Sequence, residues 1–358
     1  MRNRVLMNGN DAIGEGAIRA GCHAYFGYPI TPQNELTAYM AKYMPEHGRV
    51  FIQAESEVAA INMVFGAVVT GKRAMTSSSS PGISLKQEGL SYLAAAELPA
   101  VIVNVQRGGP GLGNIAPSQA DYFQATKGGG HGDYHLIVLA PNSVQEMHDF
   151  TLNAFALADR YRNPVMILTD GRLGQMMEPL VLYKGAPPKS PPKPWSLTGA
   201  RNRKPNHIRS LLLEVEALED RNLILQAKYK TILAELVGFD EYLTQDAQVL
   251  AIAYGSSARI AKGAVDQARA KGIKAGLLRP ITLWPFPRAR IRQLAAKVRG
   301  ILVVEMSAGQ MLEDVQLAVG ERSPIAFEGR MGGSVPEESD VLTALQHLNR
   351  PTRRGARS

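Results

Sequence analysis

The sequence predicts an α/β protein, with a doubly wound, mainly parallel sheet in residues 1–185 and a smaller α/β unit at 247–345. Three features lead to that prediction. Short apolar runs alternate with stretches of helical periodicity through residues 1–185; strands separated by helical crossovers pair in parallel, with helices on both faces. A segment rich in proline and lysine breaks the pattern at 186–205. The alternation then resumes near residue 247.

In order, the strands expected in the first unit are Val5–Met7, Ala24–Gly27, Val50–Gln53, Ala74–Thr76, Val101–Gln106, Leu136–Leu139 and Val165–Thr169. Helical patterns fill 11–20, 34–43, 57–70, 84–96 and 143–159. Residues 186–205 hold six prolines and five Lys/Arg. Proline fixes φ and removes a backbone donor, so this segment is read as an extended strap. Between His207 and Leu236, residues Leu211, Val215, Leu218, Leu225, Tyr229, Ile232 and Leu236 recur at helical spacing. That predicts one long amphipathic helix or a helical hairpin. Strap and helix together make an arm over 186–246, suited either to wrapping a neighbouring subunit or to packing on its own domain. The second unit has strands at Val249–Ala253, Ala275–Leu278, Ile301–Glu305 and Pro324–Phe327, with helices around 257–271, 286–297 and 310–319. Residues 346–358 are expected to be a frayed basic tail.

The chain has 358 residues, 45% hydrophobic and 20% charged. That is ordinary globular usage, enough for two or three domains, and it excludes wholesale disorder. No run approaches the ~20 apolar residues of a membrane span. The N-terminus turns polar by residue eight, too early for a signal peptide. A soluble cytoplasmic chain without membrane attachment is expected. A single cysteine, Cys22, excludes an intrachain disulfide framework and a four-thiolate zinc or iron–sulfur site within the chain. The net charge of +8 is concentrated: residues 184–209 carry seven Lys/Arg and 349–358 carry four Arg, neither with an acid. Without those eleven charges the remainder carries −3, so no basic folded face for nucleic acid is expected.

Ligands of an open parallel sheet bind beyond the carboxyl ends of its strands. Four polar or glycine-rich loops fall there: Tyr28–Pro32, Ala54–Glu57, Ser77–Gly82 and Arg107–Gly113. Thr31 and Ser56 suit either helix caps or site residues. Glycines 108, 109, 111 and 113 permit a tight turn, but no Lys-Ser/Thr follows, so the segment fails as a phosphate loop. Gly9, Gly14 and Gly16 miss the dinucleotide-binding spacing. Glu57 opens a helix of apolar and small residues. A carboxylate there gains roughly 0.3–1 kcal/mol from the helix dipole when exposed, and a buried carboxyl can share or relay a proton.

Four segments carry a resemblance as a set: Tyr28-Pro-Ile-Thr-Pro32, Gln53-Ala-Glu-Ser-Glu57-Val-Ala-Ala-Ile-Asn62, Ser79-Ser-Pro-Gly82 and Asn104-Val-Gln-Arg107-Gly-Gly-Pro-Gly111. The chain resembles the alpha subunit of 2-oxoacid:ferredoxin oxidoreductases over most of its length. The run Gln119-Ala-Asp-Tyr-Phe-Gln124 with Gly128-Gly-Gly-His-Gly-Asp133 is most similar to the 2-oxoisovalerate (branched-chain, 3-methyl-2-oxobutanoate) type. The resemblance implies a thiamine-diphosphate pyrimidine-binding domain at 1–185 and a transketolase-C-terminal-like domain at 247–345. It also implies oxidative decarboxylation of a 2-oxo acid to acyl-CoA, with electrons passing through iron–sulfur clusters to ferredoxin. Glu57 falls on the family's cofactor glutamate, with Gly66 nine positions on; Glu55 is the second choice. The carboxyl bonds the pyrimidine ring nitrogen and stabilises the imino tautomer that activates the thiazolium carbon. Pro29 and Ser80 fall on cofactor-binding positions, and Thr31 and Arg107 on substrate-contacting ones. A guanidinium suits a 2-oxo acid carboxylate and a hydroxyl suits its carbonyl oxygen. Asn62 and Gln119 fall near the site, and His131 is either a proton carrier or a loop residue tied to the backbone.

One departure bears on partners. Thiamine enzymes hold the diphosphate through magnesium with a Gly-Asp-Gly motif followed by an asparagine. Here Gly132-Asp133-Tyr134 and Thr169-Asp170-Gly171 lack that asparagine, and a hard dication needs several placed oxygens. The chain is therefore expected to hold at most half the cofactor and no metal of its own. Mg2+ and the iron–sulfur clusters are expected on beta, gamma and ferredoxin-like subunits. The alternatives are a 2-oxoglutarate:ferredoxin oxidoreductase alpha subunit and a non-catalytic, metabolite-binding assembly subunit.

Overall fold

The computed structural model describes residues 4–350. The chain begins with β1 (Arg4–Asn8), α1 (Gly9–Arg19), β2 (Ala24–Gly27), α2 (Asn34–Glu46), β3 (Val50–Gln53) and α3 (Glu57–Val68). It continues through β4 (Ala74–Ser78), α4 (Ser80–Ala95), β5 (Val101–Gln106), α5 (Tyr122–Thr126), β6 (Ile137–Leu139) and α6 (Val144–Tyr161). β7 (Val165–Asp170), α7 (Gly171–Gln175) and β8 (Met177–Val181) close the first unit, and α8 (Val215–Glu235) follows the strap. The second unit comprises β9 (Phe239–Tyr242), β10 (Val249–Ile252), α9 (Gly255–Ala270), β11 (Ala275–Pro280), β12 (Thr282–Trp284) and α10 (Arg288–Ala295). It ends with β13 (Gly300–Glu305), α11 (Gln310–Val319), β14 (Ile325–Gly329) and α12 (Glu338–Asn349).

The main sheet has the order β12-β6-β7-β5-β4-β2-β3 and is parallel except for β12. Its central strands β4, β5 and β7 are buried along their whole length, as strands covered on both faces must be. The second sheet, β14-β13-β10-β11-β9, is parallel except for β9. The expected α/β class with a doubly wound first sheet is the observed one. Local chemistry sets the helix starts: Asn8 accepts from the Asp11 N–H, Ser56 from that of Ala59, Ser143 from that of Glu146, and Asp170 from those of Arg172 and Leu173. Gly16 lets α1 lie directly on α6, because a Cβ there would stand 2.5 Å from the His148 carbonyl oxygen.

Several elements differ from the sequence expectation. The strand expected at Val5–Met7 forms, but it pairs antiparallel with the unforeseen β8 in a separate ribbon. Only one side of that ribbon packs, with Leu180 against Ala12 and Val144, and Leu6 stays exposed. The helical segment at 207–236 is one helix, α8, which starts only at Val215. Leu211, Leu213 and Val215 are exposed, so apolar spacing continued beyond the face that packs. Residues 346–349, expected in a frayed tail, are the last turn of α12, whose Val341, Leu342 and Leu345 are buried. The rest of that expectation, 351–358, lies outside the described residues.

β12 joins the edge of the first sheet, with Thr282 opposite Leu139 and Trp284 opposite Val138. An aromatic cluster holds it there. Trp284 stacks on His135 at 4.6 Å between ring centres, and Tyr229 of α8 meets both rings edge-on. The strap is tied to the first unit by charge. Asp159, buried, accepts from Arg73 Nε (2.9 Å) and Ser190 Oγ (2.9 Å), and Lys193 of the strap lies 2.6 Å from its other oxygen. Replacing Asp159 by Ala leaves Arg73 buried without its counter-charge. The expected loss is about 3–5 kcal/mol of stability, read from the midpoint of chemical denaturation; a loss no larger than that of an exposed ion pair would refute this account.

Candidate active site

The four loops singled out in the sequence all lie at the carboxyl ends of β2, β3, β4 and β5, on one edge of the main sheet. Glu57 is the first residue of α3 and is only 6% exposed, whereas Glu55 is exposed. Its carboxylate faces the first turn of α4 at Gly82. A Cβ on that glycine would stand 2.5 Å from Glu57 Oε1 and 2.1 Å from Ser78 Oγ. Ser78 and Ser79 add two buried hydroxyls with no partner among the described residues. A buried acid and two unpartnered hydroxyls thus share one small region at the start of α4.

A second cluster surrounds Ser80. Its backbone N–H donates to Asn104 Oδ1 (3.1 Å) and its hydroxyl to Asp121 Oδ2 (2.6 Å). The Arg107 N–H donates to Ser80 Oγ (3.0 Å), and Asn104 Nδ2 donates to the same Asp121 oxygen (2.9 Å). Burial pushes the Asp121 carboxyl above its ordinary range, against the pull of the Ser80 and Asn104 hydrogen bonds. Ser80 therefore joins β5 to α4 and fixes the backbone of Arg107. The Arg107 guanidinium donates through Nη1 to the Thr31 carbonyl (2.9 Å) and through Nη2 to that of Leu112 (2.9 Å), leaving a buried Nε with no partner among the described residues. Thr31 does not cap α2: Gln33 is the cap residue, and the Thr31 hydroxyl accepts from Asn34 Nδ2 (3.2 Å). Pro29 is exposed on the same loop.

A cavity of about 390 Å³ opens between the two units, lined by Ser80, Arg107, Asp121, Ser307, Gln310 and Met331 among others. Among the described residues Arg107 is the one cation on its wall, and Glu57 is not among the lining residues. The structure brings together Thr31, Ser80 and Arg107, while Glu57 lies against Gly82. Other residues named from sequence go elsewhere. Gln119 is a buried tie to the second unit, donating to the Tyr254 carbonyl (2.8 Å) and accepting from Ser257 Oγ (2.7 Å) and the Met306 N–H (3.0 Å). Asn62 is exposed on α3 and donates to the Val58 carbonyl (2.8 Å); His131 is an exposed loop residue. Asp170 is consumed as the α7 cap and as acceptor from Ser256 Oγ (2.9 Å), and Asp133 is exposed. Burial pushes the Cys22 thiol up to about 12, so it remains a thiol. Neither the acids nor the thiol fit a metal or an iron–sulfur cluster. No helix among the described residues is long and apolar enough to cross a membrane.

Lys86 is a site residue the sequence reading missed. It is fully buried and its ammonium donates to Thr76 Oγ1 (2.9 Å). Desolvation pushes its pKa down to about 7, against the charge of Glu57. The signal was present: Lys86 lies between the buried Ile83 and Leu90 at helical spacing.

Two family models match the chain: "Pyruvate flavodoxin/ferredoxin oxidoreductase, thiamine diP-bdg" over residues 15–209, and "Pyruvate:ferredoxin oxidoreductase core domain II" over 247–341. The chain is 54% identical to the ketoisovalerate oxidoreductase subunit VorB of Methanothermobacter marburgensis, across 96% of this chain and 97% of that one. It is 38% identical to the 2-oxoglutarate synthase subunit KorA of Methanothermobacter thermautotrophicus, across 98% of this chain and all of that one. Among solved structures, the 2-oxoglutarate:ferredoxin oxidoreductase of Magnetococcus marinus superposes with a TM-score of 0.88 at 27% identity. That match covers 98% of this chain and 66% of the other. A split-gene transketolase shares the fold alone, at a TM-score of 0.60 and 14% identity.

The Gly82 contact makes a test of sign. In an exposed helix, Gly→Ala stabilises by roughly 0.8–1 kcal/mol, and Gly66, which has open space around it, is expected to follow that rule. Gly82→Ala is expected to destabilise by about 1–3 kcal/mol, because its new methyl meets Ser78 and Glu57. Paired denaturation curves check this, and a gain at both positions would show that the approach of α4 to Glu57 is loose.

Proposed function

The chain belongs to the 2-oxoacid:ferredoxin oxidoreductase family, and we propose that it holds the aminopyrimidine half of thiamine diphosphate in an enzyme that oxidatively decarboxylates a branched-chain 2-oxo acid to acyl-CoA. The observation that carries this reading is the buried Glu57 carboxyl, facing Gly82 beside two unpartnered serine hydroxyls. That donor set fits an aminopyrimidine: an acid for the ring nitrogen and hydroxyls for the remaining polar edge. Bound there, thiamine diphosphate would supply the nucleophilic carbon and the electron sink for decarboxylation.

The chain's own residues have separate duties in this reading. Glu57 holds and moves the proton at the pyrimidine nitrogen, which commonly contributes 10²–10⁴-fold to a rate. Arg107, held by the carbonyls of Thr31 and Leu112, lies on the cavity wall as the cation for a substrate carboxylate. The Thr31 hydroxyl serves the 2-oxo oxygen. Ser80 acts one step back, because its hydroxyl is engaged by Asp121 and Arg107. With Arg107 the sole cation on the cavity wall among the described residues, and Met331, Ala308 and Pro81 also lining it, the cavity suits a monocarboxylic acid with an apolar side chain. A second carboxylate, as in 2-oxoglutarate, would face no second cation. The ketoisovalerate relatives support the same substrate class, being more similar in sequence than the 2-oxoglutarate ones.

The same proposal assigns the diphosphate and Mg2+ to a beta subunit, and the iron–sulfur clusters to that subunit and to a ferredoxin-like one, with a gamma subunit completing a cytoplasmic complex. Electrons leave to ferredoxin and coenzyme A takes the acyl group. Val58, Ile52 and Leu85 form an exposed apolar rim near the buried Glu57, which supports a partner covering that seam.

Two measurements on the assembled complex test this. Glu57→Gln is expected to lower turnover by about 10²–10⁴-fold; wild-type turnover with cofactor bound would remove Glu57 from the reaction. Among 2-oxoisovalerate, pyruvate and 2-oxoglutarate, the first is expected to have the highest kcat/KM, and preference for 2-oxoglutarate would overturn the substrate assignment.

A further inference from the structure

One charged group near Glu57 has no duty in the proposed reaction. Lys86 is fully buried, one turn after Gly82 on the same helix, and Gly82 is the residue that Glu57 approaches. Its amine donates to the Thr76 hydroxyl and forms no ion pair among the described residues. A stem of that length could have been replaced by any apolar side chain if filling space were its only duty. The elements packed around it contribute few charges. α3 contains one ionisable residue, Glu57, and β4 and β5 contain none. On α4 itself, Glu88 is exposed and bonds to Tyr92. α8 meets α4 at its far end, where Arg221 donates to the Ala95 carbonyl and pairs with Glu97. Asp121 is engaged at the start of α4 by Ser80 and Asn104, and among the described residues Glu57 is the charge that acts on Lys86.

We propose that Lys86 is a positioning residue for Glu57, its buried ammonium being the counter-charge that stabilises the Glu57 carboxylate once that carboxyl has passed its proton to the bound pyrimidine. This rests on the reading of Glu57 as the cofactor carboxyl. The proton balance is simple: the proton leaves a Glu57 oxygen for the ring nitrogen and later returns. Lys86 keeps its own protons, and no bond is made to it. An isolated carboxylate in this pocket would be costly. A neighbouring ammonium lowers that cost, and the Thr76 hydrogen bond keeps the two groups from collapsing into a tight pair that would remove Glu57 from the cofactor.

The consequence is a pH dependence whose direction is determined. Lys86 loses its charge as pH rises through about 7, a position that already includes the upward pull of the Glu57 charge. Turnover and cofactor affinity should therefore fall on the alkaline side. Stability has a different profile. Because the folded pKa lies below that of the unfolded chain, the native state pays the full penalty at and below pH 7, and the penalty fades as pH rises towards the ordinary lysine range.

Lys86→Met and Lys86→Gln in the assembled complex, with thiamine diphosphate and Mg2+ as probes, test this. Three quantities are read across pH 6–10: the Kd for thiamine diphosphate, kcat, and the unfolding midpoint of the chain without cofactor. Both variants are expected to lose the alkaline limb in Kd and in kcat. Each is expected to lower kcat at pH 7 by about tenfold, the effect of losing about 1.4 kcal/mol of carboxylate stabilisation. Lys86→Met should also raise the unfolding midpoint, most at low pH. A wild-type pH profile in both variants overturns the proposal, whether or not the midpoint moves, since a purely structural lysine would alter only the midpoint. Glu57→Gln run in parallel separates the two levels. If it is inactive while the Lys86 variants keep the wild-type profile, the lysine assignment fails alone. If it stays active, the reading of Glu57 fails and takes Lys86 with it.

Discussion

The distance between the first turns of α3 and α4 governs the site. Those turns meet at Gly82, where any Cβ would collide with Glu57 and Ser78. Because they meet there, Glu57 is buried at the start of its helix, and its carboxylate is kept from bulk water. The dipoles of both helices point their positive ends into the same small volume. The contact is maintained by the sheet beneath: β4 carries Thr76, Ser77 and Ser78 upward, and Ser77 accepts from or donates to Tyr25 at 2.6 Å. The polar loops are therefore not soft connections. They are the ends of buried strands, with positions determined by the ladder.

A second frame fixes Arg107 independently. The Ser80–Asn104–Asp121 network ties the strand ends of β4 and β5 together. The guanidinium is then aimed by two carbonyls rather than by a carboxylate. Carbonyl partners orient the group without cancelling its charge, so its attraction for an anion is retained. Glu57 and Arg107 thus have opposite electrostatic settings within one sheet edge. The acid is sheltered; the guanidinium lies on the wall of a cavity.

The parts of this arrangement legible in the sequence were those set by local patterns. Strands such as Val101–Gln106 and Val165–Thr169 are mostly apolar and bounded by turns, so their position and parallel pairing could be read directly. The preference for Glu57 over Glu55 came from the family's spacing to a helix glycine, met here by Gly66; the two residues are buried and exposed respectively. Elements set by distant partners were not legible. β12 is three residues long and exists because β6 offers it an edge; β9 and β8 are similar cases. Gln119 looked like a site residue because it lies in a motif with site-like neighbours, yet its amide serves Tyr254, Ser257 and Met306. Lys86 was passed over because lysines are almost always solvated; its place in an apolar stripe was the better guide.

The antiparallel strand β12 has a consequence for how this polypeptide can be divided. Its residues come from the second unit, but it closes the first unit's sheet next to β6, clamped by the rings of His135, Tyr229 and Trp284. A fragment ending before Thr282 would leave β6 as a bare lateral strand, with backbone donors and acceptors open to any passing chain. Severing the polypeptide at the obvious proline-rich joint would therefore yield sticky, self-associating halves rather than two independent proteins.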